Sequence, residues 1–269
     1  MHTRIKWVTL AILTGLLSMA LAACGGTAAL APVAALAPVN DDVEVSGSYE
    51  DVTGVDADGN TAIDPSALSP ALDPIPASEL SAAEIEGILY MREEEKLARD
   101  VYLTLYEQWG LPIFQNIANS EATHMQAVKT LIDRYNLEDP AAGQDTGVFT
   151  NPTLQGLYDQ LVEEGRRSLS SALRVGAAIE EIDILDLEER IAQTDRADIQ
   201  TVYENLTKGS RNHLRAFVST LERQSGETYQ PQYLSQAAYD EIVTASMERG
   251  RGGGGSRRDA RGEGGCCDK

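Results

Sequence analysis

The chain has 269 residues, 42 acidic against 22 basic side chains, and a formal charge of −20. That acidity excludes a nucleic-acid partner and electrostatic adhesion to anionic lipid. Three cysteines, two of them adjacent at Cys266 and Cys267, cannot build a disulfide framework, so stability has to come from an apolar core.

At the start of the chain, Arg4 and Lys6 precede an almost wholly apolar run, Trp7 to Leu21, too short for a comfortable membrane span but matched to a signal-peptide core. It ends in Leu21-Ala22-Ala23-Cys24, which resembles the bacterial lipobox. The resemblance implies cleavage before Cys24, lipidation of Cys24 and tethering on the outer side of a membrane, at the cell surface or in the periplasm. Residues 1–23 thus read as a lipoprotein signal peptide. Residues 24–81, rich in Ala, Pro, Asp and Gly and without a sustained period of 2 or 3.6, read as a flexible tether. Asp56-Ala57-Asp58-Gly59-Asn60 lacks the spacing and terminal glutamate of an EF-hand loop and reads as acidic linker.

Order is expected from Ser81, an N-cap with Glu84 three residues on. The 3.6-residue period predicts long helices over 82–109, 114–136, 168–191 and 196–223, with a shorter one over 153–164. Gly110-Leu111-Pro112 separates the first two. The stretch from Asn136 to Pro152, with Pro140, Gly143 and Gly147, is long for a bundle loop and predicts a crossover between the second and third long helices. The fold class expected is all-α, a four-helix bundle occupying 82–245. A short segment through Tyr229, Tyr233 and Tyr239 should pack against it, and residues 246–269 read as a disordered Gly/Arg-rich tail.

Read at alternating steps of three and four, each long helix gives one seam facing the bundle centre. The first is Ile88, Met91, Glu95, Ala98, Tyr102, Leu105, Trp109; the second Ile117, Glu121, His124, Val128, Leu131, Tyr135. The third is Leu169, Leu173, Gly176, Glu180, Asp183, Leu187; the fourth Ile199, Tyr203, Leu206, Ser210, His213, Phe217. All are apolar except near their middles, where Glu95, Glu121, His124, Glu180, Asp183 and His213 fall, with no lysine or arginine on any seam. A buried carboxylate without a partner is too costly to keep ionised, so pairing, neutralisation or metal coordination has to answer for them. Four carboxylates and two imidazoles suit iron, manganese or zinc, and two ions would balance four negative groups. Glu121-Ala122-Thr123-His124 is a Glu-x-x-His step that projects both side chains from one helical face. Other assignments stay open: Glu180 could pair with Arg174 or Arg211, Glu181 could be the inward residue, and Tyr102 and Tyr203 could be packing aromatics.

The stretches Glu93-Glu94-Glu95-Lys96-Leu97-Ala98-Arg99-Asp100-Val101-Tyr102, Ser120-Glu121-Ala122-Thr123-His124, Ile179-Glu180-Glu181-Ile182-Asp183-Ile184 and Gly209-Ser210-Arg211-Asn212-His213-Leu214 resemble an uncharacterised bacterial and archaeal family of the ferritin-like superfamily. The similarity extends more distantly to rubrerythrin and bacterioferritin and covers about residues 82–225. It implies a di-iron carboxylate centre with Glu95 as first-helix ligand, Glu121 bridging, His124 on one metal, Glu180 on the third helix and His213 on the fourth, Tyr102 standing behind them. The family pattern asks for Glu-x-x-His on the fourth helix. Ser210 stands where that glutamate belongs, and Asp183, one turn after Glu180, is the residue placed to compensate.

The function expected is therefore that of a membrane-tethered, extracytoplasmic metal-binding protein with two ions, iron foremost. Its chemistry would be that of an oxidase or peroxidase acting on O2 or peroxide. A non-catalytic iron-, manganese- or zinc-binding lipoprotein and a metal-free structural bundle are the alternatives. The expected partners are the membrane, through lipidated Cys24, and a second copy of the chain, since bundles of this kind often dimerise.

Overall fold

The computed structural model describes residues 52–55 and 61–249. Cys24, the signal-peptide residues, most of the Gly/Arg-rich tail and Asp56 to Asn60 lie outside the described residues. The described chain is an all-α bundle with a two-stranded antiparallel ribbon, β1 (Thr53–Val55) and β2 (Thr61–Ile63), in the register Thr53 to Ile63. Seven helices follow: α1 (Pro65–Leu72), α2 (Ala82–Trp109), α3 (Pro112–Arg134), α4 (Pro152–Gly165), α5 (Leu169–Ala192), α6 (Ala197–Ser225) and α7 (Gln236–Thr244). None of the described helices is long and apolar enough to cross a membrane.

Local chemistry sets the helix ends. Ser81 Oγ accepts from the amide of Glu84 while Glu84 accepts from the amide of Ser81, so two orphan donors are satisfied at the start of α2. Gly110, at φ 63°, closes α2 in the left-handed conformation that only glycine adopts cheaply, and Pro112 begins α3 where no amide is needed. Asn151 and Ser168 cap α4 and α5, and Gly226, at φ 70°, ends α6.

Directions follow from pairs across the bundle. Gly87 on α2 faces Arg190 on α5 while Tyr102 reaches Gly176 and Glu180, so α2 and α5 are antiparallel. Arg134 reaches Asp198 while His124 lies against Gly209, so α3 and α6 are antiparallel too. Since α2 and α3 are joined by a tight break, α3 and α5 run the same way, and the connection between them has to travel the length of the bundle. The expected crossover is this connection, residues 135–151 followed by α4.

The crossover is fastened to the outer side of α2. Arg92 pairs with Asp139 at 3.0 Å, Lys96 donates to the Asp145 carbonyl, Asp100 accepts from the amide of Gly147, and Glu93 accepts from Thr150 and Asn151. The middle of α2 is consequently buried on every side from Met91 to Ala98. Apolar layers lie to either side of the polar one, around Val101, Phe114, Leu173 and Phe217 in one direction and around Met91, Leu131, Val202 and Leu206 in the other.

Two expectations are corrected. Order does not begin at Ser81: the ribbon and α1 bury Val52, Ile63, Leu68 and Leu72 in the second apolar layer, so residues 52–55 and 61–80 are folded chain and not tether. Nor is the tail free from residue 246, because Glu248 pairs with Arg211 and Arg215, and its amide donates to Asn212 Oδ1. Tyr229 and Tyr239 pack into the bundle as expected, whereas Tyr233 is half exposed.

Candidate metal centre

All six carboxylate and imidazole residues of the predicted seams are buried, in one layer across the middle of the bundle. At its centre the two oxygens of Glu121 face different imidazoles: Oε2 lies 2.7 Å from Nδ1 of His124, and Oε1 lies 2.8 Å from Nδ1 of His213. Each imidazole has a second carboxylate behind it, Glu95 at 3.4 Å from His124 and Glu180 at 3.6 Å from His213. The rings are stacked with centroids 5.3 Å apart. Glu121, His124 and His213 together bring one ligand atom each within 4.8 Å, a buried group that can hold a metal ion.

The fit to a cation is tested by the orientation of these atoms. Nδ1 of both histidines and Oε1 of Glu121 are close by distance, yet they satisfy no hydrogen bond. Short separations outside hydrogen-bond geometry are what lone pairs make when they converge on a shared point rather than on each other. A buried polar atom left in this state costs about 1–3 kcal/mol, and a bound cation removes that cost. Among the described residues, no lysine or arginine pairs with Glu95, Glu121, Glu180 or Asp183; the buried cations Arg92, Lys96 and Arg215 are engaged elsewhere.

The electrostatics agree. Burial opposes charge on His213, but Glu121 and Glu180 outweigh it and raise its pKa to about 9. His124 is raised well above its ordinary value against the same burial, chiefly by Glu121 and then Glu95. Burial drives Glu95 up to about 7 despite the neighbouring His124. Glu121 goes the other way, held below the usual carboxylate range because two imidazoles outweigh its desolvation.

The ribbon reaches the centre. The Nε2–H of His124 donates to the Thr61 carbonyl at 3.1 Å, and the Thr61 amide approaches Nε2 of His213 at 3.4 Å. A neutral His124 with its proton on Nε2 has Nδ1 free for a cation, whereas His213 offers Nδ1 to a cation only in the tautomer with its proton on Nε2, which gives up the approach of the Thr61 amide. The two imidazoles are thus unequal before any ion binds.

Tyr102 donates to Glu180 Oε1 at 2.5 Å and stacks at a tilt on Phe217. Glu180, not Glu181, faces the centre. Glu181 accepts from Tyr229 and from the amides of Gln232, Tyr233 and Leu234, and so anchors the C-terminal segment. Arg174 pairs with Glu227 and Arg211 with Glu248, so neither takes Glu180. Ser210 bonds to Asp183 Oδ2, placing Asp183 beside the imidazole group rather than within it.

Three contributors escape the seam pattern. Glu94 is 3% exposed, with both oxygens buried; its only sequence signal is a run of three glutamates. A Cβ at Gly209 would come within 2.5 Å of the His124 ring, so this glycine makes room for the imidazole. A glycine in mid-helix costs about 1 kcal/mol, and that cost was the available hint. Thr61 acts through its backbone and leaves no signal at all.

Residues 84–246 match a family described as "Uncharacterized protein domain (DUF2202)". The chain belongs to this family. It is 56% identical over 176 residues to the uncharacterized protein MJ0754 of Methanocaldococcus jannaschii, a match that covers 65% of this chain and 95% of that protein. The crystal structure of the hypothetical protein MJ0754 from Methanococcus jannaschii superimposes with a TM-score of 0.63, at 56% identity, over 65% of this chain and 99% of that one. The ribbon residue Thr61, which touches both histidines, precedes the segment that the family shares.

Proposed function

We propose that this protein is a membrane-tethered, extracytoplasmic metalloprotein of the ferritin and rubrerythrin type, holding two ions, iron foremost, bridged by Glu121. The observation that carries this reading is the division of Glu121, one oxygen to each imidazole, with a further carboxylate behind each. That makes two half-sites, Glu95 with His124 and Glu180 with His213, sharing one carboxylate. Mixed carboxylate and imidazole donors suit iron, manganese and zinc. Bound as ferrous iron, such a pair supplies two electrons to O2 or peroxide.

The chain's own groups prepare the site. Thr61 fixes the His124 ring so that Nδ1 faces inward, Tyr102 holds Glu180 in place and keeps its proton, and the flanking apolar layers exclude water. Tethering is supported by the apolar run Trp7 to Leu21 and by Leu21-Ala22-Ala23-Cys24. A second reading, binding of iron, manganese or zinc without turnover, is favoured by Ser210, which leaves α6 without its carboxylate and makes the half-sites unequal.

Anaerobic loading with ferrous iron, metal counting and optical spectra after O2 or peroxide separate these readings. Two irons per chain and new oxidised-iron absorption are expected. Binding without reaction leaves the second reading, and no bound metal sinks both. Radiolabelled palmitate incorporation, lost in Cys24→Ala, tests the tether.

A further inference from the structure

On the α3 and α6 side of the imidazole centre the cover is a single strand. Residues of β2 alternate inward and outward: Thr61 and Ile63 are buried while Ala62 between them is exposed, so one thickness of extended chain separates the histidines from water. The inner edge of the strand meets both rings, the Thr61 carbonyl accepting from Nε2 of His124 and the Thr61 amide approaching Nε2 of His213. The ribbon is pinned to α3 by the Ile63 amide on Thr123 Oγ1 at 2.9 Å, and to α6 by Asn212 on Thr61 Oγ1 at 2.8 Å and by Lys208 on Thr53. Elsewhere the layer is covered twice, by α2 with the crossover fastened over it and by α5 with the C-terminal segment anchored on Glu181.

A two-stranded ribbon is marginal in water by itself, so the order of β1 and β2 comes from docking and can be given up locally without parting the long helices. His213 can offer Nδ1 to a cation only by giving up the Thr61 amide, so loading that half-site already requires β2 to shift. Lifting β2 also takes the Thr61 carbonyl from His124, and a ring released at Nε2 is free to turn its Nδ1 edge toward the opening. We propose that β2 is the gate of the imidazole centre: it opens between α3 and α6, exposes both histidines, and gives a divalent cation its way in and out. Closed, it holds His124 with Nδ1 inward. The cation is that of the metal-binding reading, on which the route rests; the opening is a property of the ribbon alone and is measurable without metal.

Two probes keep the questions apart. Diethyl pyrocarbonate modifies exposed neutral imidazole, and peptide mass spectrometry reads His124 and His213 separately in the metal-free protein; Co2+, through its ligand-field absorption, reports the rate and stoichiometry of loading. Thr123→Val, which removes the acceptor for the Ile63 amide, should speed modification of both histidines about fivefold. Ile63→Ala, which removes a buried anchor of the ribbon, should speed it on the order of a hundredfold. Both variants should load Co2+ faster, to the same stoichiometry as the unsubstituted protein. Leu173→Ala, a comparable loss in the apolar layer away from the ribbon, should leave both rates unchanged. Unchanged modification in both ribbon variants, or equal acceleration by Leu173→Ala, overturns the gate, and so does faster modification without faster Co2+ loading in a protein that binds Co2+. Absence of Co2+ binding by the unsubstituted protein would sink the metal reading, and the modification rates would still decide whether β2 opens over the histidines.

Discussion

Glu121 carries more of the site than any other side chain, because its two oxygens are divided between the two imidazoles. Glu121→Gln keeps the shape but removes the charge that raises both histidines, so metal content should fall to below a tenth. His124→Ala and His213→Ala should each remove about one ion and leave the other; metal analysis of the purified variants checks all three. Gly209→Ala tests how closely α6 approaches the imidazole. The added methyl meets the His124 ring at 2.5 Å, and overpacking of this kind costs about 1–3 kcal/mol, more than the helix propensity that alanine returns. A lowered melting temperature together with reduced metal content is expected; a more stable variant with full metal content would show that the ring has room to move. The Glu-x-x-His step, the lone histidine of α6 and Tyr102 were legible at this scale because helical period alone puts them on one face. Glu94 was not, since it stands one residue off the single seam drawn for α2 and is buried there all the same, beside the acids of α5.

Between elements, the long helices were legible almost to the residue, for their ends are written in side chains: Ser81 with Glu84, Gly110 before Pro112, Asn151 before Pro152, Ser168, Gly226. The ribbon was not legible. Three-residue strands are too short to show alternation, and their order derives from docking, through Ile63, Leu68 and Leu72 in the core and through hydrogen bonds to α3 and α6. The amide of Ile63 donates to Thr123 Oγ1 at 2.9 Å, and Asn212 donates to Thr61 Oγ1 at 2.8 Å. Asn212 also holds Glu248, so the segments before and after the bundle meet on one side chain of α6. Thr123→Val keeps the volume and removes the acceptor for Ile63, at a cost of about 1 kcal/mol or somewhat more if the amide stays buried. Amide hydrogen exchange should accelerate at Thr61 and Ile63 and stay unchanged in the core of α2 and α6. Equal acceleration throughout would mean that the ribbon unfolds only with the bundle.

Across the whole molecule the polar layer ties stability to pH, with a sign that depends on the metal. In the metal-free protein the folded pKa values of Glu95, about 7, and His213, about 9, both lie above their ordinary values of 4.5 and 6.5. Folding therefore binds protons. The stabilisation from Glu95 is present below pH 4.5 and is lost as pH rises to 7, and that from His213 is present below 6.5 and lost as pH rises through 9. Glu121, whose pKa is lowered, contributes constantly above pH 4.5 and does not change the slope in this window. The chelator-treated protein should thus lose stability from pH 5.5 to 8.5, on the order of a few kcal/mol. A bound cation demands free imidazole nitrogens and ionised carboxylates, so loading releases these protons and the loaded protein should gain stability over the same interval. Melting temperatures measured across that interval, with chelator and with saturating Mn2+, are expected to have opposite slopes. A metal-free slope that is flat or rising would mean that the layer is not held by protons shared between Glu95, Glu121, Glu180 and the two histidines, and that some other charge balances it.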